Sequence, residues 1–206
     1  MLNIWGRMSS INVRKVVWAA QELGLDMQRT DAGGPFGGIS TPEFLQMNPN
    51  GMVPVMDDAG FVLWESNAIV RYLCAKHATG TLYPDSLAQR FQAEQWMDWQ
   101  QTTLNPAGRN AFIQLVRTPL EQRQAELIEQ SNAATEPLLA LLDQHLAASP
   151  YLAGEHFSMA DIPVACELHR WWGLPQPRHP HPNLQQWYAQ VSSRPAARGV
   201  LDQPLS

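Results

Sequence analysis

The chain has 206 residues, 45% of them hydrophobic, and a formal net charge of −5. This is enough for one large domain or two small ones around a buried core, and the acidic balance argues against nucleic acid or an anionic membrane as partner. Two cysteines, Cys74 and Cys166, are too few for a disulfide framework, the opening Met1-Leu-Asn-Ile-Trp5 has no basic or long apolar run, and no segment approaches the ~20 apolar residues of a membrane span, so a cytoplasmic, reducing setting is expected.

Residues 2–5 are short, apolar and closed by Gly6, which predicts a first strand. Val13, Val16, Val17, Ala20 and Leu23 recur at helical spacing before Gly24, predicting a helix from Ile11 to Leu23. Residues 27–30 fit a second strand. Residues 32–41, with four glycines and a proline, fit a loop, and Thr41-Pro42 fits a cap with proline at the first helical position. Val53–Met56 and Phe61–Trp64 flank Asp57-Asp-Ala-Gly60 as a hairpin, and Ala68, Ile69, Tyr72 and Leu73 mark a helix over 66–77. The order β-α-β-α-β-β-α predicts a small α/β layer with a mixed four-stranded sheet over residues 1–77.

The polar, turn-rich stretch 78–86 reads as a linker, and residues 87–206 read as an all-α domain. Phe91, Trp96, Trp99, Thr103 and Leu104 suggest one long helix. Residues 120–148 suggest another, with Leu138, Leu139, Leu141, Leu142 and Leu146 inward and Pro137 as a kink or break. Residues 158–172 and 183–192 supply two more. Ser158-Met-Ala-Asp161 reads as a capping box, with Phe157 and Ile162 as a staple, so Asp161 is expected to be a folding element. The alternating prolines of Arg178-His-Pro-His-Pro182 suggest a stiff loop, and no metal site is expected there.

Three stretches carry candidate chemistry. Asn48-Pro-Asn-Gly-Met-Val-Pro54 ends in a Val-Pro step that can present the Val53 backbone to a peptide, within a tight, possibly cis, turn; a plain edge-strand proline at Pro54 is the competing reading. Glu65-Ser66 opens a helix and offers a carboxylate, a hydroxyl and free N–H groups to a charged ligand end, although Glu65 can equally be a first-turn carboxylate complementing the dipole. Between the first strand and helix, Arg7-Met-Ser-Ser-Ile-Asn-Val-Arg14 places Ser9 or Ser10 at the helix N-terminus, either as a simple N-cap or as a donor to an anion such as a thiolate, with Arg7 and Arg14 nearby.

In this order the motifs resemble the glutathione S-transferase family along essentially the whole chain, above all Trp5 to Val13 and Leu63 to Leu73. The resemblance implies a thioredoxin-like N-terminal domain that binds glutathione, a helical domain that forms the electrophile pocket, and a homodimer. It implies that Pro54 is the cis-proline, that Val53 pairs with the cysteinyl part of glutathione, and that Glu65 and Ser66 hold the γ-glutamyl end. Placing Arg14 on the Ser-x-x-x-Arg pattern of theta-like and delta-like members makes Ser10 the activating residue, supplemented by Asn12, with Ser9 as the alternative. Met52 stands where many members have a lysine, and no Lys, Arg or His lies between Arg29 and Arg71, so the glycine carboxylate falls to backbone and amides such as Asn50 and Gln46, or to a group from elsewhere. Arg7, Trp99, Arg109 and Phe112 are the pocket candidates, with Arg109 suited to an acidic substrate or a departing halide. The expected reaction is thiolate attack on a small electrophile, either halogenated or an activated alkene. A non-catalytic binding or regulatory protein on the same scaffold is the alternative.

Overall fold

The computed structural model describes residues 1–205. Strands β1 (Leu2–Trp5), β2 (Met27–Thr30), β3 (Val55–Asp58) and β4 (Phe61–Trp64) form one sheet in the order β2-β1-β3-β4. β1 runs parallel to β2 and antiparallel to β3, and β3 antiparallel to β4. The mixture follows from the connections: helix α1 (Ile11–Glu22) carries the chain back for a parallel β2, whereas a two-residue turn at Ala59-Gly60, both at positive φ, joins β3 to β4.

Alternation along the strands sorts the two faces. Leu2, Ile4 and Met56 pack with Val16, Ala20, Ile69 and Leu73 beneath α1 and α3 (Ser66–His77). Val55 packs with Phe44 and Ala32 on the other face, under the short helix α2 (Pro42–Met47). The Thr41 hydroxyl caps α2 by accepting from the Phe44 N–H at 3.3 Å, with Pro42 in the first turn. The expected hairpin is present, but its first strand begins at Val55 because Val53 and Pro54 are joined by a cis peptide and stand outside the ladder.

No helix or strand occupies residues 78–86. The long helix then starts as α4 (Leu87–Trp99), passes through a π-helical turn (Gln100–Leu104), continues as α5 (Asn105–Phe112) and ends in a second π-helical turn (Ile113–Arg117). Helix α6 (Ala125–Leu146) begins later than the sequence suggests, because residues 120–122 form a separate 3-10 turn. It runs through Pro137 without a break, and Leu141 is 45% exposed instead of inward, while Leu139, Leu142 and Leu146 are buried. Helices α7 (Asp161–Trp172) and α8 (Pro182–Ser192) complete the fold.

Asp161 is fully buried and accepts hydrogen bonds from the N–H groups of Ser158 (2.8 Å) and Leu152 (3.1 Å) and from the Trp187 indole (3.0 Å). It is the folding element expected, and burial lifts its carboxyl to about 6. Cys74 and Cys166 are buried free thiols, both pushed up to about 12 by burial. No helix of the described residues is long and apolar enough to cross a membrane.

Helix α1 lies at the centre. Its Val16 and Ala20 face the sheet, while Val13 and Val17 enter the largest apolar cluster, which spans α1, α3 and helices α4 to α8. Every residue from Val13 to Ala20 is buried, including Arg14 and Lys15. The entry to α1 is therefore fixed from both sides, and that entry carries the serines.

Candidate active site

The site is built where β1 hands over to α1. Gly6 has φ +149, and a Cβ there would fall 2.4 Å from Val13 Cγ2 and 3.1 Å from Val53 Cβ, so only glycine lets the strand, the helix and the Val53 loop meet. Ser10 occupies the N-cap position of α1 in extended conformation, yet its side chain makes no capping hydrogen bond. Neither the Ser9 nor the Ser10 hydroxyl has a hydrogen-bond partner among the described residues, and both are half-buried. The simple-cap reading of Ser10 therefore does not hold. Its hydroxyl stands beside the open N–H groups at the positive end of α1.

Asn12 is half-buried in the first turn of α1, and its Oδ1 accepts from the Ser66 hydroxyl at 3.2 Å. This bond ties the serine loop directly to the start of α3. Ser66 is buried, whereas Glu65 is exposed at φ +72 with no capping bond from its carboxylate. A left-handed conformation at a non-glycine residue costs about 1–3 kcal/mol, and here Glu65 holds the N-cap position of α3 without spending its carboxylate on the helix.

The loop before β3 is organised by Asn48, whose buried side chain donates to the Met52 carbonyl (2.8 Å) and accepts from the Asn50 N–H and side-chain amide (both 3.0 Å). This bonding leaves Asn50 and Met52 exposed, Met52 at 67%. Pro54 is buried, and the Val53 N–H and C=O form no hydrogen bond among the described residues, which leaves them available to an extended peptide. No cation approaches this loop from the segment itself. Arg7 instead lies across Gly33 and Gly34: a Cβ on either glycine would come within 2.9 Å of its guanidinium.

The candidates on the helical side divide. Phe112 shares with Ser9, Ile11, Cys166 and Arg170 a crevice of about 10 Å3, room for no more than one water. Arg109 is exposed one turn before Phe112. Trp99 lies more than three turns earlier on the same helix, roughly 20 Å away. It packs edge-on against Trp96, which in turn stacks on His145 of α6, so the structure does not bring it together with Ser9 and Phe112. A larger cleft of about 300 Å3, between α6 and the loop after α7, contains none of the candidates.

Of the polar residues of the region, Arg14 was marked in the sequence by its spacing from Ser10, whereas Lys15, Gln100, Gln101 and Glu167 had no signal beyond standing near apolar positions. Arg14 is buried and donates to the carbonyls of Met8 (2.7 Å), Val200 (3.1 Å), Gln203 (3.1 Å) and Pro204 (2.7 Å), pinning the C-terminal segment against the serine loop. Lys15 is fully buried, with Nζ on Gln100 Oε1 (2.8 Å) and Gln101 Oε1 (3.0 Å); Gln100 passes the contact to Glu167 (3.1 Å), and Glu167 pairs with Arg170. Desolvation lowers the Lys15 pKa to about 8, partly offset by Glu167 and, more weakly, by Cys166 and Glu65. The π-helical turn at Gln100–Leu104 delivers Gln100 and Gln101 to Lys15. Among the described residues no group of His, Cys, Asp and Glu is arranged to hold a metal ion.

Comparison with known proteins agrees with this geometry. The family description "Glutathione S-transferase, N-terminal domain" matches residues 1–75, and "Glutathione S-transferase, C-terminal domain" matches residues 125–190. The chain is 43% identical to glutathione S-transferase GstB of Escherichia coli over the full length of both, and 30% identical to glutathione S-transferase 3 of Zea mays over 95% of this chain and 90% of the other. Among solved structures, the theta class glutathione S-transferase of Xanthomonas axonopodis pv. citri, with glutathione bound, superposes with a TM-score of 0.96 at 42% identity, covering 100% of this chain and 99% of that one. The sheet order, the helical second half and these full-length matches lead to one conclusion: the chain belongs to the glutathione S-transferase family, and it is an enzyme of that kind.

Proposed function

We propose that the protein binds glutathione along the groove from Glu65 and Ser66, past Val53, to the Asn50–Met52 loop, and directs its sulfur, as the thiolate, at a small electrophile. The γ-glutamyl end meets Glu65, Ser66 and the α3 N-terminus. The cysteinyl backbone pairs with Val53, and the glycine end lies near Asn50 and Met52, with Arg7 as the nearest candidate cation. Residues 1–77 supply this grip and residues 87–206 the electrophile side, with Phe112 at the interface. The crevice beside Ser9 is too narrow to admit an electrophile, so the electrophile lies across its mouth. A homodimer in the cytoplasm is part of the same proposal.

The observation that carries this reading is the uncommitted Ser10 hydroxyl at the N-terminus of α1. An ordinary thiol titrates near ~8.5 and is mostly protonated at neutral pH. One charge-assisted hydrogen bond, worth about 1.5–3 kcal/mol, together with the α1 dipole is sufficient to lower that value by about one unit, which requires ~1.4 kcal/mol. Asn12 is oriented by Ser66 and keeps its amide N–H as a second donor. The test is ultraviolet difference titration of the glutathione-loaded protein. Wild type should show the thiolate below pH 8, and Ser10→Ala should raise the titration by about one unit and cut kcat roughly tenfold. An unchanged titration and full activity in Ser10→Ala would remove Ser10 from the role.

A further inference from the structure

We infer that Leu205 is the specificity-determining residue on the electrophile side: it divides the crevice beside Ser9 from a broad outer cleft, and so sets the size of the group that the glutathione sulfur can meet. The inference rests on the transferase reading above and names the residue that limits its substrates. Ser9, Ile11 and Phe112 line the crevice of about 10 Å3, and Leu115, Val116, Gly173 and Pro204 line an open cleft of about 610 Å3. The two spaces share His169 and Leu205 as lining residues. With the dividing side chain shortened, they would join into one pocket of the size that takes a small apolar molecule.

Leu205 is placed there by the backbone before it and by a glycine opposite it. Arg14 holds the carbonyls of Val200, Gln203 and Pro204. The Gln203 carbonyl also accepts from His169 Nε2 at 2.9 Å, so that nitrogen carries the ring proton, and Nδ1 is left to accept from the Tyr188 hydroxyl at 3.3 Å. These bonds fix the segment up to Pro204, and the Leu205 side chain lies against Gly173, just after α7. A Cβ on Gly173 would fall 2.6 Å from Leu205 Cδ1 and 2.9 Å from its Cγ, so a larger residue there would displace the leucine. Leu205 is half-buried and packs against the main apolar cluster. The His169 ring is held by polar bonds at both nitrogens, whereas Leu205 is held by packing alone. Of the two dividing side chains, Leu205 is therefore the one whose size can vary without leaving a polar group unpaired.

The test compares benzyl chloride with 1-(chloromethyl)naphthalene, which differ by a fused ring. With either, the sulfur forms a C–S bond at the chloromethyl carbon, the C–Cl bond breaks with its electron pair as chloride, and the thiol proton passes to water. After division by the uncatalysed rate constants, the naphthyl-to-benzyl ratio of kcat/KM should rise about tenfold in Leu205→Ala and should not rise in Leu205→Phe. An unchanged ratio in Leu205→Ala overturns the inference. A rise in both variants also overturns it, because a loosened chain end would act alike in each. If no form turns over either chloride, the transferase reading fails, and the divider is judged by labelling of Cys166, a buried free thiol that lines the crevice. With 4,4′-dithiodipyridine, Leu205→Ala should label at least about tenfold faster than wild type, and adding Cys166→Ser should remove the fast phase. Equal rates, or a fast phase that survives Cys166→Ser, overturn the divider.

Discussion

The two walls of the site are encoded in different ways. On the α/β side, the ligand-facing groups come from short runs whose geometry is settled by close neighbours: Asn48 shapes Asn50 and Met52, Ser66 fixes Asn12, and Gly6 permits the Val53 contact. On the helical side, Phe112 acquires its surroundings from Arg117 and Arg170, brought together by helix packing and a π-helical turn. The first wall suits a constant ligand whose backbone is always the same. The second can change without disturbing the first, as a variable substrate requires.

The comparison breaks most sharply at Gly6. Gly6→Ala should destabilise the protein by about 3 kcal/mol or more, through overpacking and backbone strain, and both walls should fail together in urea unfolding and in turnover. An effect under ~1 kcal/mol would show that the three-way contact is not restrictive.

Lys15, between the walls, tests how they are joined. Its ammonium is buried on two glutamine oxygens, and the folded pKa is lowered to about 8 from 10.5. Between those values the unfolded chain holds more protons than the folded one, so this group makes stability rise with pH across the window and carries its full penalty below pH 8. The stability of wild type minus that of Lys15→Met, from urea melts, should climb from pH 8 to 10.5 by on the order of 1 kcal/mol or more. A flat difference would mean that Lys15 is not desolvated in solution.

Ser66→Ala removes the donor to Asn12 and the proposed contact to the γ-glutamyl end. It should raise the KM for glutathione roughly tenfold, for one lost hydrogen bond of ~1.4 kcal/mol, and leave the KM for the electrophile unchanged. A change in the KM for the electrophile would couple walls that are otherwise independent. The smallest effect is expected at Trp99, which packs with Trp96 and His145 away from Phe112. Trp99→Phe should alter kcat/KM for a halogenated electrophile less than about threefold, because the two positions are roughly 20 Å apart. A larger selective loss would return Trp99 to the pocket.

Much of the fold was legible. Residues 2–5, 27–30 and 61–64 are strands as the pattern indicated, and α1 and α3 start where expected. These elements alternate apolar residues at clean periods and end at glycine or at caps. The misses have physical causes. Leu120 lies outside α6 because a 3-10 turn precedes the helix, and Leu141 is exposed because a leucine-rich run does not reveal which side faces inward. The π-helical turns were invisible because a pattern read at 3.6 residues per turn cannot register a local change of period.

The sequence by itself determined the α/β-then-helical order, the place of Val53-Pro54 before the hairpin and of Glu65-Ser66 at the start of α3, and the placing of a serine at the first helix entry, because each depends on groups only a few residues apart. Only the tertiary structure decided that Ser10 leaves its hydroxyl uncommitted, that Arg14 and Lys15 are buried anchors, and that the guanidiniums of Arg117 and Arg170 lie over Phe112. Those outcomes depend on which surfaces exclude water when α1 is closed between the sheet and the helices. Burial and electrostatic fields of that kind are properties of the packed whole, with no local pattern to announce them.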